Sequence, residues 1–258
     1  MTEGWNARRL KLAAAVLMTL DHIGLWCNLF GLRQLGLPLR VAGRIAAPLF
    51  LFLLTESLRH TRSRGRLLLR LWLAGVLHAA VSHWLIVLTG ESAWYGNIFP
   101  AMFYTALIVT AGEDLRRGKP GTALLLALFV AGGSLAARGP QALQWMLPAL
   151  REMEYSALFV ALGVVWYVLP ERTAQIAVLL GVSLCSWLIS PEAAWVQRLG
   201  LEAMFYGTQW CMVLAAPFLY AYNGERGRDG RLPAYWSYWY YPIHQYVLLL
   251  LAVLIKRA

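Results

Sequence analysis

Long apolar runs alternate along this chain with short clusters of charge or of proline and glycine, and most of the runs are too long for strands. Bounded by those clusters, nine segments stand out, at about residues 10–30, 41–58, 67–89, 97–112, 120–137, 152–170, 172–189, 200–222 and 234–255. A helix that crosses a bilayer needs roughly 20 mostly apolar residues, and lipid does not accept an open sheet edge. The pattern therefore predicts an all-α fold, a polytopic integral membrane helical bundle of about nine transmembrane helices, forming a single domain over residues 1–258. No internal repeat stands out, so nothing here supports an inverted-repeat architecture.

The basic residues fix an orientation. Arg8, Arg9 and Lys11, the run from Arg59 to Arg70, Arg116, Arg117 and Lys119, Arg172, and Arg226, Arg228 and Arg231 all fall on one side. That side is expected to be the cytoplasm, with the N-terminus on it. The opposite loops carry Arg33, Arg40, Arg138, Arg151 and Arg198, with Trp94, Tyr95, Trp145 and Trp195 suited to an interfacial belt. An odd number of spans puts the C-terminus on that opposite side, against which the closing Lys256-Arg257 argues. Asp21-His22 interrupts the first run and no small-residue cleavage site follows it, so it reads as a retained span rather than a removed signal.

Composition agrees and removes some functions. With 59% hydrophobic and 14% charged residues, against about 25% charged in soluble domains, this is not a soluble enzyme. The net charge of +10 is explained by basic loops without nucleic acid as a partner. Cys27, Cys185 and Cys211 are far apart in apolar runs, so they predict neither disulfides nor a zinc site and read as core filler.

Ionisable groups at membrane depth cost several kcal/mol unless paired or hydrated, so each is a functional candidate. Counting about 1.5 Å per residue from the basic end, His22, His78 and His244 fall roughly 15–17 Å deep, on three different helices. His22 reads as a general base or nucleophile, with a polar clamp between helices as the structural alternative. Asp21 need not reach it, because neighbours on a helix point about 100° apart. His78 and His83 share no face, which weakens a metal site and favours structural roles. His244 follows Tyr240-Tyr241-Pro242, where proline opens a polar notch. Arg40 and Arg44 lie four apart on one face, with Gly43 permitting close helix approach and Pro48 loosening the next turn, an anion-binding arrangement for a carboxylate of the protein, a substrate phosphate or carboxylate, or an oxyanion, although Arg40 alone also suits a headgroup-facing arginine. Glu56 needs a partner, which the run Arg59 to Arg70 can supply. That run, five arginines in twelve residues including Arg62 and flanked by His60, suits anionic lipid or a phosphate-rich cofactor. Asn97, Tyr104, Gln209 and Glu154 are further polar groups in or beside spans.

At these residues a resemblance enters. KLAAAVLMTLDHIGLW, LRVAGRIAAPLFLFLLTESLRHTR, the RLW that follows and YYPIH near the C-terminus resemble the TraX family of membrane-embedded pilin N-terminal acetylases. Lys11, Asp21, His22, Ile23, Gly24, Gly43, Arg44, Pro48, Phe50, Phe52, Glu56, His60, Thr61, Arg62 and Arg70 occupy the motif positions, with Asn97, Tyr241, Pro242 and His244 later. The match is dense over 11–71 and sparse between 98 and 233. Ala47 stands where an aromatic is more usual, and Ser57 where glycine is. The family is similar, more distantly, to transmembrane acyltransferases.

The resemblance implies a multi-pass protein of the bacterial inner membrane that takes acetyl-CoA as acyl donor, without a metal, and transfers acetyl to an amine or hydroxyl of a pilin or glycan acceptor. His22 is then the leading catalytic residue, by direct base catalysis or through an acetyl-histidine. Asp21 would fix an imidazole, and Arg44 would orient substrate or meet the oxyanion. Arg40, Glu56, His60, Arg62, Asn97, Tyr241 and His244 would complete the substrate site, with Glu56 and Arg62 at a mouth for CoA phosphates. The alternative is a proton-coupled transporter relaying protons through the same His and Asp groups, and a third class is an assembly factor.

Overall fold

In the computed structural model, which describes residues 4–91, 96–150, 153, 155–199, 204, 207–227 and 235–257, the chain is a bundle of helices with no strand among those residues. In order these are α1 (Ala7–Leu29), α2 (Arg33–Gly43), α3 (Ala46–His60), α4 (Arg64–Thr89), α5 (Ile98–Arg116), α6 (Gly121–Ala136), α7 (Gln141–Met146), α8 (Ser156–Val168), α9 (Arg172–Leu188) and α10 (Ala194–Leu199). A 3-10 segment, Gln209–Ala215, runs into α11 (Ala216–Tyr220), and α12 (Trp236–Arg257) closes the fold. Trp94, Tyr95, Arg151, Glu154, Arg228 and Arg231 lie outside the described residues.

Five stretches are long and apolar enough to cross a membrane: α1, the joined Arg33–His60, α4, α5 and α12. The helices at 121–136, 156–168, 172–188 and 209–220 are apolar but shorter, and 13 residues in α8 span only about 20 Å. Among the described residues each of the nine expected segments thus contains a helix. Leu88, Leu124, Leu135, Trp187, Leu254 and Ile255 stay exposed, as lipid-facing side chains do. Cys185 is exposed as well and Cys27 half-buried, so of the three cysteines only Cys211 is buried.

Local sequence explains the ends. Asn6 caps α1 by accepting from the Arg9 N–H at 3.0 Å. Gly90 closes α4 in the left-handed region, φ 71°. Between α2 and α3 the helix is interrupted rather than ended. Pro48 has no N–H for the Arg44 carbonyl four residues back; Ile45 N–H reaches only to Ala42 O, at 3.4 Å, and the Leu49 N–H bonds Ile45 O at 3.3 Å.

Depth in the bundle follows from the contacts. α1 and Arg33–His60 run antiparallel with backbones touching. A Cβ on Gly24 would sit 2.7 Å from the Gly36 carbonyl, and one on Gly43 2.2 Å from Asp21 Cβ, so only glycine permits this approach. α5 begins beside the middle of α4, where Asn97 Nδ2 donates to Gly75 O at 3.0 Å. It ends at the arginine-rich end, where Glu113 meets Arg64 at 3.0 Å. α8 descends from Tyr155 to the same corner, Tyr167 bonding Glu113. The 209–220 segment runs from Gln209, which bonds Arg44, down to Tyr222, paired with Trp5. Thus α3, α5, α8 and 209–220 all start at one depth and run to the same end of the molecule.

At the opposite end α12 finishes, and Lys256 meets Glu91 at 2.6 Å. The C-terminal helix therefore ends away from the arginine-rich end, and Glu91 removes the objection that Lys256 raised.

Candidate active site at mid-depth

The half-length helices start around the polar residues of α1. Asp21, 6% exposed, accepts from Arg40 Nη1 at 2.5 Å and from Arg44 Nη2 at 2.5 Å on both oxygens. Arg44 Nε reaches Asp21 Oδ1 at 3.2 Å, and Arg44 Nη1 donates to Gln209 Oε1 at 2.9 Å. Four segments are thereby tied at one level: α1, α2, the kink and the 3-10 turn. A buried charge has to be paired in this way to be tolerated.

This corrects three expectations. Arg40 is no headgroup arginine, because the α1–α2 approach at Gly24 and Gly43 brings it onto Asp21. Asp21 does not hold an imidazole, since it points to the arginines while His22, one position on, points elsewhere. Arg44 stands behind the pocket, absent from its lining, and is engaged with Asp21 and Gln209.

His22 turns toward α12. Its Nδ1 lies 2.8 Å from Met18 O and 3.3 Å from His244 Nε2, and the two rings meet edge to face at 4.8 Å. A carbonyl can only accept, so Nδ1 carries the proton and Nε2 keeps its lone pair. His244 repeats the arrangement, Nδ1 at 3.0 Å from Tyr240 O, which leaves its Nε2 to accept from His22. His78 is the third imidazole of the cluster, but both its nitrogens are occupied, by the Tyr246 hydroxyl at 2.8 Å and Gly96 O at 3.0 Å. It is a clamp between α4, α12 and the segment entering α5. His83 packs on Trp84 and Trp145, away from the cluster.

Two cavities meet here. A small one, about 290 Å³, is lined by His22 and Asp21 with Met18, Gly43, Ala46, Ala47, Phe50, Ile98, Tyr155 and Tyr241. Ala46 and Ala47, the first residues of α3 after the kink, line its wall. A larger groove, about 620 Å³ including its open mouth, runs toward the arginine-rich end. Its walls are apolar, from Leu53, Leu54, Leu67, Leu71, Phe99 and Met102, with Lys11, Ser57 and Ser237 among the polar residues. Phe50, Ile98 and Tyr241 line both cavities, so three side chains separate the groove from His22.

The remaining candidates fall in different places. Tyr241 is at the partition, its hydroxyl donating to Gly96 O at 2.9 Å and accepting from Ile98 N–H at 3.1 Å. Asn97 is spent on capping α5, Oδ1 accepting from Phe99 N–H at 3.2 Å. Tyr104 holds Phe129 O and Pro148 O. Glu56 pairs with Arg59, as its need for a partner predicted, and Arg59 reaches on to Trp166 O at 2.6 Å. His60, the last residue of α3, and Arg62, on the turn after it, are exposed. Neither they nor Glu56 line the groove, because Phe50, Leu53, Leu54 and Ser57 form one helical stripe and Glu56 lies on another. Lys11 and Tyr155, which do line the cavities, were not picked as site residues. Lys11 had a visible signal, a lone cation one turn into an apolar helix; Tyr155 had none.

The fold and site define a multi-pass helical membrane protein with a paired ionic cluster and a histidine couple at mid-depth. The family model described as TraX protein matches residues 6–252, and the chain belongs to the TraX family. No curated protein and no solved structure matches it.

Proposed function

We propose that this protein is an acetyl-CoA-dependent acyltransferase of the bacterial inner membrane, with its arginine-rich end in the cytoplasm, acetylating an amine or hydroxyl. The observation that carries the reading is the partition: an apolar groove open toward the basic end stops three side chains short of an imidazole whose Nε2 lone pair is uncommitted. An apolar slot of that kind suits the pantetheine arm of CoA, with the thioester at Phe50, Ile98 and Tyr241.

The chemistry then needs only a base, charge stabilisation and a way out for the proton. The acceptor nitrogen or oxygen attacks the thioester carbonyl as His22 Nε2 takes its proton. Proton uptake makes His22 an imidazolium, and its Nδ1–H is held by Met18 O and His244 Nε2, both acceptors. Negative charge on the carbonyl oxygen meets the Ala46 and Ala47 N–H groups, near the positive starts of α5 and α8. When the carbon–sulfur bond breaks, the thiolate recovers the proton from His22 and leaves as CoA thiol. Asp21, Arg40 and Arg44 position this site rather than react in it. Family membership favours a pilin N-terminus as acceptor, with an envelope glycan as the other candidate.

The test is release of CoA from acetyl-CoA by purified protein in nanodiscs, comparing the native chain with His22→Ala and Arg44→Ala. Release that is lost in a well-folded His22→Ala supports the reading. No release and no thermal stabilisation by acetyl-CoA overturns it and turns attention to proton-coupled transport through the same histidines.

A further inference from the structure

Among the described residues Lys11 is the one cation on the wall of the groove, and its surroundings are unusual for a lysine in a membrane helix. It lies one turn into α1, half-buried among Leu53, Leu54 and Leu67. Among the described residues no carboxylate pairs with it, and the charged group that acts on it is another cation, Arg226. Three arginines at this end have partners: Arg59 has Glu56, Arg64 has Glu113 and Tyr167, and Arg66 has Ser63. Arg70, whose guanidinium sits over the Tyr235 ring at 4.7 Å, is on the same side.

An ammonium held in an apolar wall beside a like charge is costly unless an anion arrives. The ligand that satisfies it has an anionic head and a long, weakly polar arm that fills the groove. The separation fits as well, because Lys11 and His22 are eleven residues apart on one helix, about 16 Å. Ser57 and Ser237, on the same lining, add two hydroxyls near the ammonium end.

Building on the proposed acyltransfer, we infer that Lys11 is the phosphate anchor of the acyl donor: its ammonium binds a phosphate of the CoA nucleotide and so places the thioester at His22. The exposed arginine turn around Arg62, which the resemblance suggested for this task, is absent from the groove lining. A phospholipid headgroup has the same chemistry and is the other source of a phosphate at this position.

The experiment compares acetyl-CoA with acetyl-pantetheine, which carries the thioester and arm but no phosphate, as donors for full-length protein in nanodiscs made with zwitterionic lipid alone or with added anionic lipid. For the native chain KM for acetyl-CoA should be at least about tenfold below that for acetyl-pantetheine, as charge-assisted phosphate binding provides. Lys11→Gln should remove that preference by raising KM for acetyl-CoA to near that for acetyl-pantetheine, and Lys11→Arg should restore part of it. Arg62→Gln should keep the preference in full. A Lys11→Gln variant that turns over acetyl-pantetheine normally and still prefers acetyl-CoA overturns the inference. So does a native chain with no acetyl-CoA preference in zwitterionic lipid whose thermal stability rises with anionic lipid, a rise that Lys11→Gln abolishes, since Lys11 then holds a headgroup. If the native chain releases thiol from neither donor, the acyltransferase reading itself fails, a result distinct from both.

Discussion

Replacing Asp21 by asparagine keeps the size of the side chain and removes its charge. Asp21 bridges two guanidiniums with three contacts at 2.5 Å and a fourth at 3.2 Å, and the side chains of Asp21 and Arg44 are both 9% exposed. Asparagine offers one acceptor oxygen and turns an NH2 toward guanidinium N–H groups, so half of the bridge becomes donor against donor. Removing one partner from a buried pair costs about 3–5 kcal/mol. The oxygen that remains puts Asp21→Asn near the lower figure, about 3 kcal/mol, or roughly a hundredfold in the folding equilibrium. Thermal denaturation of nanodisc-embedded protein, measured with CoA release on the same samples, is the assay. Stability and activity should fall together, and Asp21→Asn combined with Arg44→Gln should lose less than the sum of the single changes, because the pair is removed as a unit. A variant with native stability and abolished release would refute the reasoning, since Asp21 would then act on the chemistry and not as a clamp.

His244 touches His22 rather than the acyl group, so His244→Ala should lower kcat about 10–100-fold with KM for acetyl-CoA unchanged; a matching rise in KM would mean it contacts the donor. Ala47 lines the cavity of about 290 Å³ at His22, and Ala47→Phe should fill much of it, abolishing CoA release while the protein stays monodisperse; undiminished release would show that the thioester does not enter there.

Much was legible in the chain. The nine helical segments followed from lipid's demand for apolar length, and the second of them broke where Pro48 lacks an N–H. Glu56 found an arginine partner because an unpaired carboxylate at that depth is too costly, and the placement of His22, His78 and His244 at one level followed from helical rise. Gly43 announced a close crossing, and Gly24 proved to be its second contact, since nothing larger fits between the backbones of α1 and Arg33–His60.

What only the tertiary structure decided is direction. A sequence gives the depth of a side chain along its own helix, while the neighbour it meets depends on how helices rotate against one another. That rotation turned Asp21 to Arg40 and Arg44 and His22 to His244, two adjacent residues with different partners. It placed Glu56 and Ser57 on different faces of α3, which moved the groove wall away from Arg62 and onto Lys11. The half-length starts of α3, α5, α8 and the 209–220 segment, which build the pocket around His22, arise from packing between segments far apart in the chain, and no local pattern in the chain encodes them.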